Sequence, residues 1–167
     1  QTHAGSIKGF KGLEDLTRSA AAGGGTTIVD MPFDEPDPVW SRDLLDAKVE
    51  IANQVAYIDV ALYGSVKKKV EVDEIAALAD GGACAFKMST YEANPHRFPR
   101  IPHHEMTRAF SAIAETGLTV AVHNEDQEIV DDAIAQFREA RQMGANIHHA
   151  SRPPLAELLA NSVILEI

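Results

Sequence analysis

The feature that most restricts the fold of this chain is a repeated alternation of short apolar runs with longer stretches of helical periodicity. Thr26–Met31, Tyr57–Tyr63, Ala83–Met88 and Leu118–His123 read as strands. Between and around them Leu13–Ala22, Val39–Val55, Asp73–Ala79, His103–Thr116 and Glu125–Met143 read as helices, and Pro153 opens one more. In Val39–Val55 the stripe Leu44, Leu45, Lys48, Ile51, Ala52 and Val55 recurs at three- and four-residue steps. Glycines at 23–25, 81–82 and 117 close three of the helices. Strands that alternate with helices predict parallel βαβ units, because a parallel neighbour can only be reached by a crossover.

Two architectures satisfy that pattern: an open doubly wound sheet, or part of a closed (β/α)8 barrel. No GxGxxG follows a strand, so a dinucleotide-binding sheet has no support. A complete barrel takes about 250 residues, and this chain has 167. Gln1-Thr2-His3 does not read as a natural start, which sets the expectation of an internal piece of a single domain spanning 1–167.

A formal net charge of −10 argues against nucleic acid or an anionic membrane as partner, since phosphate binding needs clustered Lys and Arg. Lys67-Lys68-Lys69 is the one basic run, and Glu71, Asp73 and Glu74 follow it directly. No apolar run reaches the length of a membrane span, and no basic segment followed by an apolar run opens the sequence, so nothing argues for export. With a single cysteine, Cys84, a cytoplasmic setting is the expectation. The run Ala83-Cys84-Ala85-Phe86 predicts a small, buried Cys84.

In parallel α/β folds chemistry gathers where strands end. Lys87 closes one strand, His123 closes the next, and His3 precedes the first helix. An ammonium at the end of an apolar strand is costly unless paired or modified. A strand-end histidine is more often a hydrogen-bonded structural residue than a metal ligand, and a strand-end lysine more often a phosphate, carboxylate or ion-pair partner. His96, His103 and His104 sit in or beside the long loop Ser89–Pro102, and His148 and His149 are placed in a connecting loop.

Several runs, in order, resemble the cyclic amidohydrolases, the group of allantoinases, hydantoinases with dihydropyrimidinases, and dihydroorotases. They are Ala20-Ala21-Ala22-Gly23-Gly24-Gly25-Thr26-Thr27-Ile28-Val29-Asp30-Met31-Pro32, Gly82-Ala83-Cys84-Ala85-Phe86-Lys87, Phe98-Pro99, Val120-Ala121-Val122-His123-Asn124-Glu125-Asp126, and Ala150-Ser151-Arg152-Pro153-Pro154 with Glu157. The resemblance implies a partial (β/α)8 TIM barrel carrying about strands two to five. It implies a hydrolase that opens a cyclic amide or ureide, allantoinase-like first and hydantoinase or dihydropyrimidinase second. It assigns Lys87 as a carboxylated lysine bridging two divalent metal ions, usually zinc, with His123 as a ligand to one of them. His3 becomes the second histidine of a His-x-His pair, with Gln1 standing where the first belongs.

Tyr91 and Glu92, after the lysine, are the expected substrate contacts. A further metal histidine and a catalytic aspartate belong to later strands of the family, beyond Ile167. A small-molecule substrate and a homo-oligomer complete the expectation. The alternative in another class is a non-catalytic relative that keeps the barrel without its metal and serves as a scaffold.

Overall fold

The computed structural model describes residues 2–5 and 11–167. Gln1, on which the departure from the His-x-His pattern rests, lies outside them. The elements are α1 (Lys11–Ala22), β1 (Thr27–Asp30), α2 (Arg42–Val55), β2 (Asp59–Gly64), α3 (Val72–Asp80), β3 (Ala85–Ser89), α4 (His103–Thr116), β4 (Thr119–His123), α5 (Gln127–Glu139), α6 (Ala145–Ala150) and α7 (Pro154–Glu166). All four strands are parallel and lie in the order β1-β2-β3-β4. A doubly wound sheet reverses its strand order at a switch point so that helices cover both faces. Here the order never reverses, so one face is covered and the sheet curls as half of a barrel. Among the described residues no helix is long and apolar enough to cross a membrane.

The core lies between the sheet and α2, α3 and α4. Leu62, Phe86 and Met88 from the strands pack with Leu45, Ile75, Leu78, Met106 and Ile113 from the helices. Gly64 is required by this packing: a Cβ there would sit 3.1 Å from the Phe86 ring and 3.3 Å from Leu78. The opposite faces of the same strands point into the half-barrel. In β3 Phe86 and Met88 are fully covered, and Lys87 between them is the one residue of the strand that is only half-buried.

Helix boundaries follow local chemistry. α2 starts at Arg42 rather than Val39, because Pro36 and Pro38 supply no N–H and the Val39 N–H donates instead to the Pro32 carbonyl (2.8 Å). α4 ends on Gly117, whose φ of 72° is the left-handed conformation a helix terminus favours. α5 is shorter than the sequence suggested at both ends. Asp126 caps it by accepting from the Ile129 N–H (3.0 Å), which leaves Glu125 outside the helix. Its far end stops at Glu139, and Arg141 then takes a φ of 51°.

His148 and His149, expected in a loop, belong to the short helix α6. Six residues are too few for a helical period to be read from sequence. Cys84 is also a correction. It precedes β3 and is exposed, while Ala83 takes the buried place beside it.

One buried group stands apart from this apolar core. Lys48 is 1% exposed, and its ammonium lies 2.8 Å from Asp30 and 2.7 Å from Asp34, both carboxylates also buried. It donates a further hydrogen bond to the Met31 carbonyl (3.0 Å). Asp30 in turn accepts from the Thr2 hydroxyl (2.5 Å) and the Ala4 N–H (2.9 Å). The charged cluster therefore ties residues 2–4 to the end of β1.

Candidate active site

Strand register builds the site. Lys87 pairs with Ala121 and Ser89 with His123, so Lys87 and His123 share one face, one pleat apart. Residues 2–4 run alongside β1: the Thr2 N–H donates to Val29 O (3.1 Å) and Met31 N–H donates to Thr2 O (2.8 Å). The side chains of Thr2 and Asp30 meet on the helix-covered side, which by alternation turns His3 to the open side with Lys87. His3 is held below the usual imidazole range, first by burial, and Lys87 is among the cations that add to this against the pull of Asp30. The three metal-ligand candidates thus face one open surface.

The Lys87 amine is held below the ordinary lysine range by burial alone. Its Nζ has no carboxylate or hydrogen-bond acceptor among the described residues, while its carbonyl accepts from Ser65 Oγ (2.9 Å). An amine in that state is more readily neutral and nucleophilic. Among the described residues no three of His, Cys, Asp and Glu cluster as a ready ligand set. Two histidines and a lysine fit a metal pair if the lysine gains oxygen donors, which carboxylation supplies.

His123 is set in a frame that sequence reading missed. Its Nε2 lies 2.8 Å from Glu125 Oε2, and Glu125 Oε1 lies 3.3 Å from Arg152 Nε. Thr90 fixes the Glu125 backbone: its hydroxyl both donates to the Glu125 carbonyl (2.9 Å) and accepts the Glu125 N–H (2.9 Å). The Arg152 guanidinium also lies 5.5 Å from the centre of the Tyr91 ring. The Phe98 ring meets His123 edge-on at 5.4 Å.

These groups border a cleft of about 560 Å³ that also includes Asn94, Arg97 and His148. The long loop after β3 forms one wall, and it folds back on itself through Ile101 N–H to Ser89 O (3.0 Å).

The two expected substrate contacts part company. Tyr91 lines the cleft, yet it is 8% exposed and packs with Val130 and Ala156. Its ring is therefore structural as well. Tyr91→Ala should cost about 3 kcal/mol by the usual penalty for truncating a buried aromatic. Tyr91→Phe should leave the denaturation midpoint nearly unchanged and alter relative KM values across cyclic amides. Identical KM values in Tyr91→Phe would remove the hydroxyl from substrate recognition.

Glu92 turns away from the cleft. It pairs with Lys68 and accepts from the Arg100 N–H (3.2 Å) in a separate recess with Gln127 and Asp131. The hydrogen bond from Lys68 is the main cause holding its carboxyl below the usual glutamate value of 4.5. A lowered folded pKa stabilises above the unfolded value, and that contribution disappears as pH falls through the folded one. Glu92→Gln should lose no more than about 1 kcal/mol at neutral pH, as partly exposed pairs do. The difference from the parent should vanish in acid, and turnover should be unaffected.

No protein-family profile matches the sequence. An allantoinase of Solibacter usitatus is 30% identical over 151 residues, 90% of this chain and 33% of its own length. An L-hydantoinase of Paenarthrobacter aurescens is 32% identical over 141 residues, 84% of this chain and 30% of its own length. Among solved structures, the L-hydantoinase (dihydropyrimidinase) from Arthrobacter aurescens superposes with a TM-score of 0.89 at 30% identity, covering 98% of this chain and 36% of that one. The chain spans about one third of the length of the curated relatives it matches.

Proposed function

The chain belongs to the cyclic amidohydrolases, the family of allantoinases and hydantoinases, and we propose that it carries the Lys87–His123 half of the active site of a hydrolase that opens a cyclic amide or ureide ring. In this reading residues 1–167 are one contiguous part of a single barrel domain, and the remaining ligands come from other strands of that barrel. The observation that carries the proposal is the register of β3 and β4. It sets a desolvated, unpaired Lys87 one pleat from His123 on the open face.

The residues divide the work as follows. Lys87, its amine brought below the ordinary lysine range by burial, attacks CO₂ through nitrogen in its neutral form. A C–N bond forms as one C=O π bond of CO₂ opens, one proton leaves the nitrogen, and the neutral amine becomes a carbamate anion with two oxygen donors. Those oxygens, with His123 and His3, would hold two divalent cations. When bound, such a metal pair lowers the pKa of a water and polarises the scissile carbonyl. Phe98 and Tyr91 form the apolar wall against which a planar ring lies and from which bulk water is displaced. Asn94 lines the cleft; its Oδ1 accepts from the His96 and Arg97 N–H groups, which leaves its Nδ2 group to donate to a ureide carbonyl. A small neutral ring is the partner this site suits, in a cytoplasmic homo-oligomer.

Allantoin-type ureides come first among substrates, with hydantoins and dihydropyrimidines second. The test is metal analysis of the full-length protein together with hydrolysis assays on allantoin, hydantoin and dihydrouracil. Two divalent ions per chain and turnover of one of these rings are expected. A metal-loaded protein inert towards all three would refute the substrate class.

A further inference from the structure

The frame around His123 does more than anchor a loop. Glu125 is buried and its carboxylate is ion-paired with Arg152, the side chains being 7% and 22% exposed. A carboxylate engaged by a guanidinium meets its other neighbours as a hydrogen-bond acceptor. The 2.8 Å contact from its Oε2 to His123 Nε2 is therefore a hydrogen bond in which Nε2–H donates. A neutral imidazole carries one N–H, so the proton on Nε2 leaves Nδ1 bare. Nδ1 has no hydrogen-bond partner among the described residues.

We propose that Glu125, locked by Arg152, is a positioning residue that holds His123 in the Nε2–H tautomer and presents Nδ1 as its metal-binding atom. The identification of the bound group as a metal rests on the function proposed above; the tautomer does not. The supports converge from distant segments. Thr90 clamps the Glu125 backbone from the end of β3. Arg152 arrives from the junction of α6 and α7, where it also donates to the His148 carbonyl (3.2 Å). Asp126 N–H donates to the Ala156 carbonyl (3.0 Å), so the turn that follows His123 is docked on α7. The Glu125 backbone is thus held by Thr90 and its carboxylate by Arg152, and its contact with Nε2 orients the His123 ring. A carboxylate behind a ligating histidine also raises the basicity of the ligating nitrogen, and such partners are worth about 10–100-fold in metal affinity.

The test uses the full-length protein, labelled with ¹⁵N-histidine and stripped of metal by a chelator. A long-range ¹H–¹⁵N correlation spectrum at neutral pH reads each ring's tautomer, and the His123 signals are those lost in His123→Asn. The expected wild-type pattern is a protonated Nε2 and an unprotonated Nδ1. In Glu125→Ala the two tautomers should mix, and competitive zinc titration should show an affinity loss of about 10–100-fold. Glu125→Gln keeps an acceptor of the same reach and should retain the tautomer with a smaller loss in affinity.

A wild-type ring protonated on Nδ1 would overturn the proposal without any variant. So would an unchanged tautomer population in a folded Glu125→Ala protein. A protein that takes up no zinc but shows the expected tautomer and its loss in Glu125→Ala would uphold this inference while sinking the metal reading of the site.

Discussion

Lys48→Met should cost about 3–5 kcal/mol of folding stability, the range seen when one partner of a buried ion pair is removed. Lys48 is 1% exposed and serves two carboxylates at once, Asp30 at 2.8 Å and Asp34 at 2.7 Å. Methionine fills most of the aliphatic volume, so the loss comes from electrostatics rather than a cavity. Two buried carboxylates without their cation cannot both stay ionised. The cluster already leans that way. Burial, ahead of every other cause, holds Asp34 above its ordinary value of 3.8, and Lys48 only partly offsets it.

A raised carboxyl pKa has the opposite linkage to the usual acidic residue. Between the unfolded and folded values the folded state binds more protons, so this group's contribution to stability falls as pH rises through that window. It is most favourable below both values. Removing Lys48 widens the window upward. The deficit of Lys48→Met should therefore be greatest at neutral pH and shrink in acid. Asp34→Asn leaves a one-to-one pair of Lys48 with Asp30 and should cost much less, about 1 kcal/mol for the altered hydrogen bonding. Urea midpoints of the three proteins at several pH values decide the matter. A Lys48→Met loss below about 1 kcal/mol, or one independent of pH, would mean that the carboxylates find other partners.

That cluster also shows what a linear reading can and cannot reach. Lys48 sits within the apolar stripe of α2 at core spacing, so its burial was legible as a polar residue on the wrong face. Its partners were not, because Asp30 and Asp34 come from the end of β1 and the loop beyond it. The same holds at the site. Lys87 and His123 stand out because each ends an apolar strand, and the period-two alternation puts them on one face as soon as β3 and β4 pair in parallel. Glu125 is adjacent in sequence to the His123 turn, yet its role depends on Arg152, which reaches it only after α5 and α6 fold back.

Glu92 illustrates the converse. Its distance from Lys87 along the chain suggested the cleft, but the turn at Ser89–Tyr91 sends the next side chain to Lys68 instead. Helical periodicity overran α5 for a similar reason: the segment from Ala140 to Met143 carries no breaker before Gly144, yet the backbone leaves the helix at Arg141, with a φ of 51°.

Lys87→Ala should abolish ring opening by the full-length protein, with a loss of at least about 10³-fold, since Lewis-acid activation contributes several kcal/mol to such reactions. The cause is the loss of donors rather than of fold. Lys87 faces the open side of the sheet, and its neighbours Phe86 and Met88 carry the core contacts on the other. The denaturation midpoint should therefore move little, and removal of a half-buried, unpaired amine can raise it.

Metal content separates the roles. Without a carbamate the bridging oxygens are gone, so the variant should hold at most one of the two ions. Because the group proposed at Lys87 is a carboxylate on a flexible stem, a small carboxylic acid such as acetate or propionate should occupy the vacated space and supply the same two oxygens. Activity and the second metal should then return together as the acid is added. Lys87→Arg should not be rescued, since its fixed guanidinium fills the space and does not form a stable carbamate. Full metal occupancy and turnover in Lys87→Ala without added acid would show that the lysine is an ordinary strand-end cation, and the assignment of this face as the metal site would fall with it.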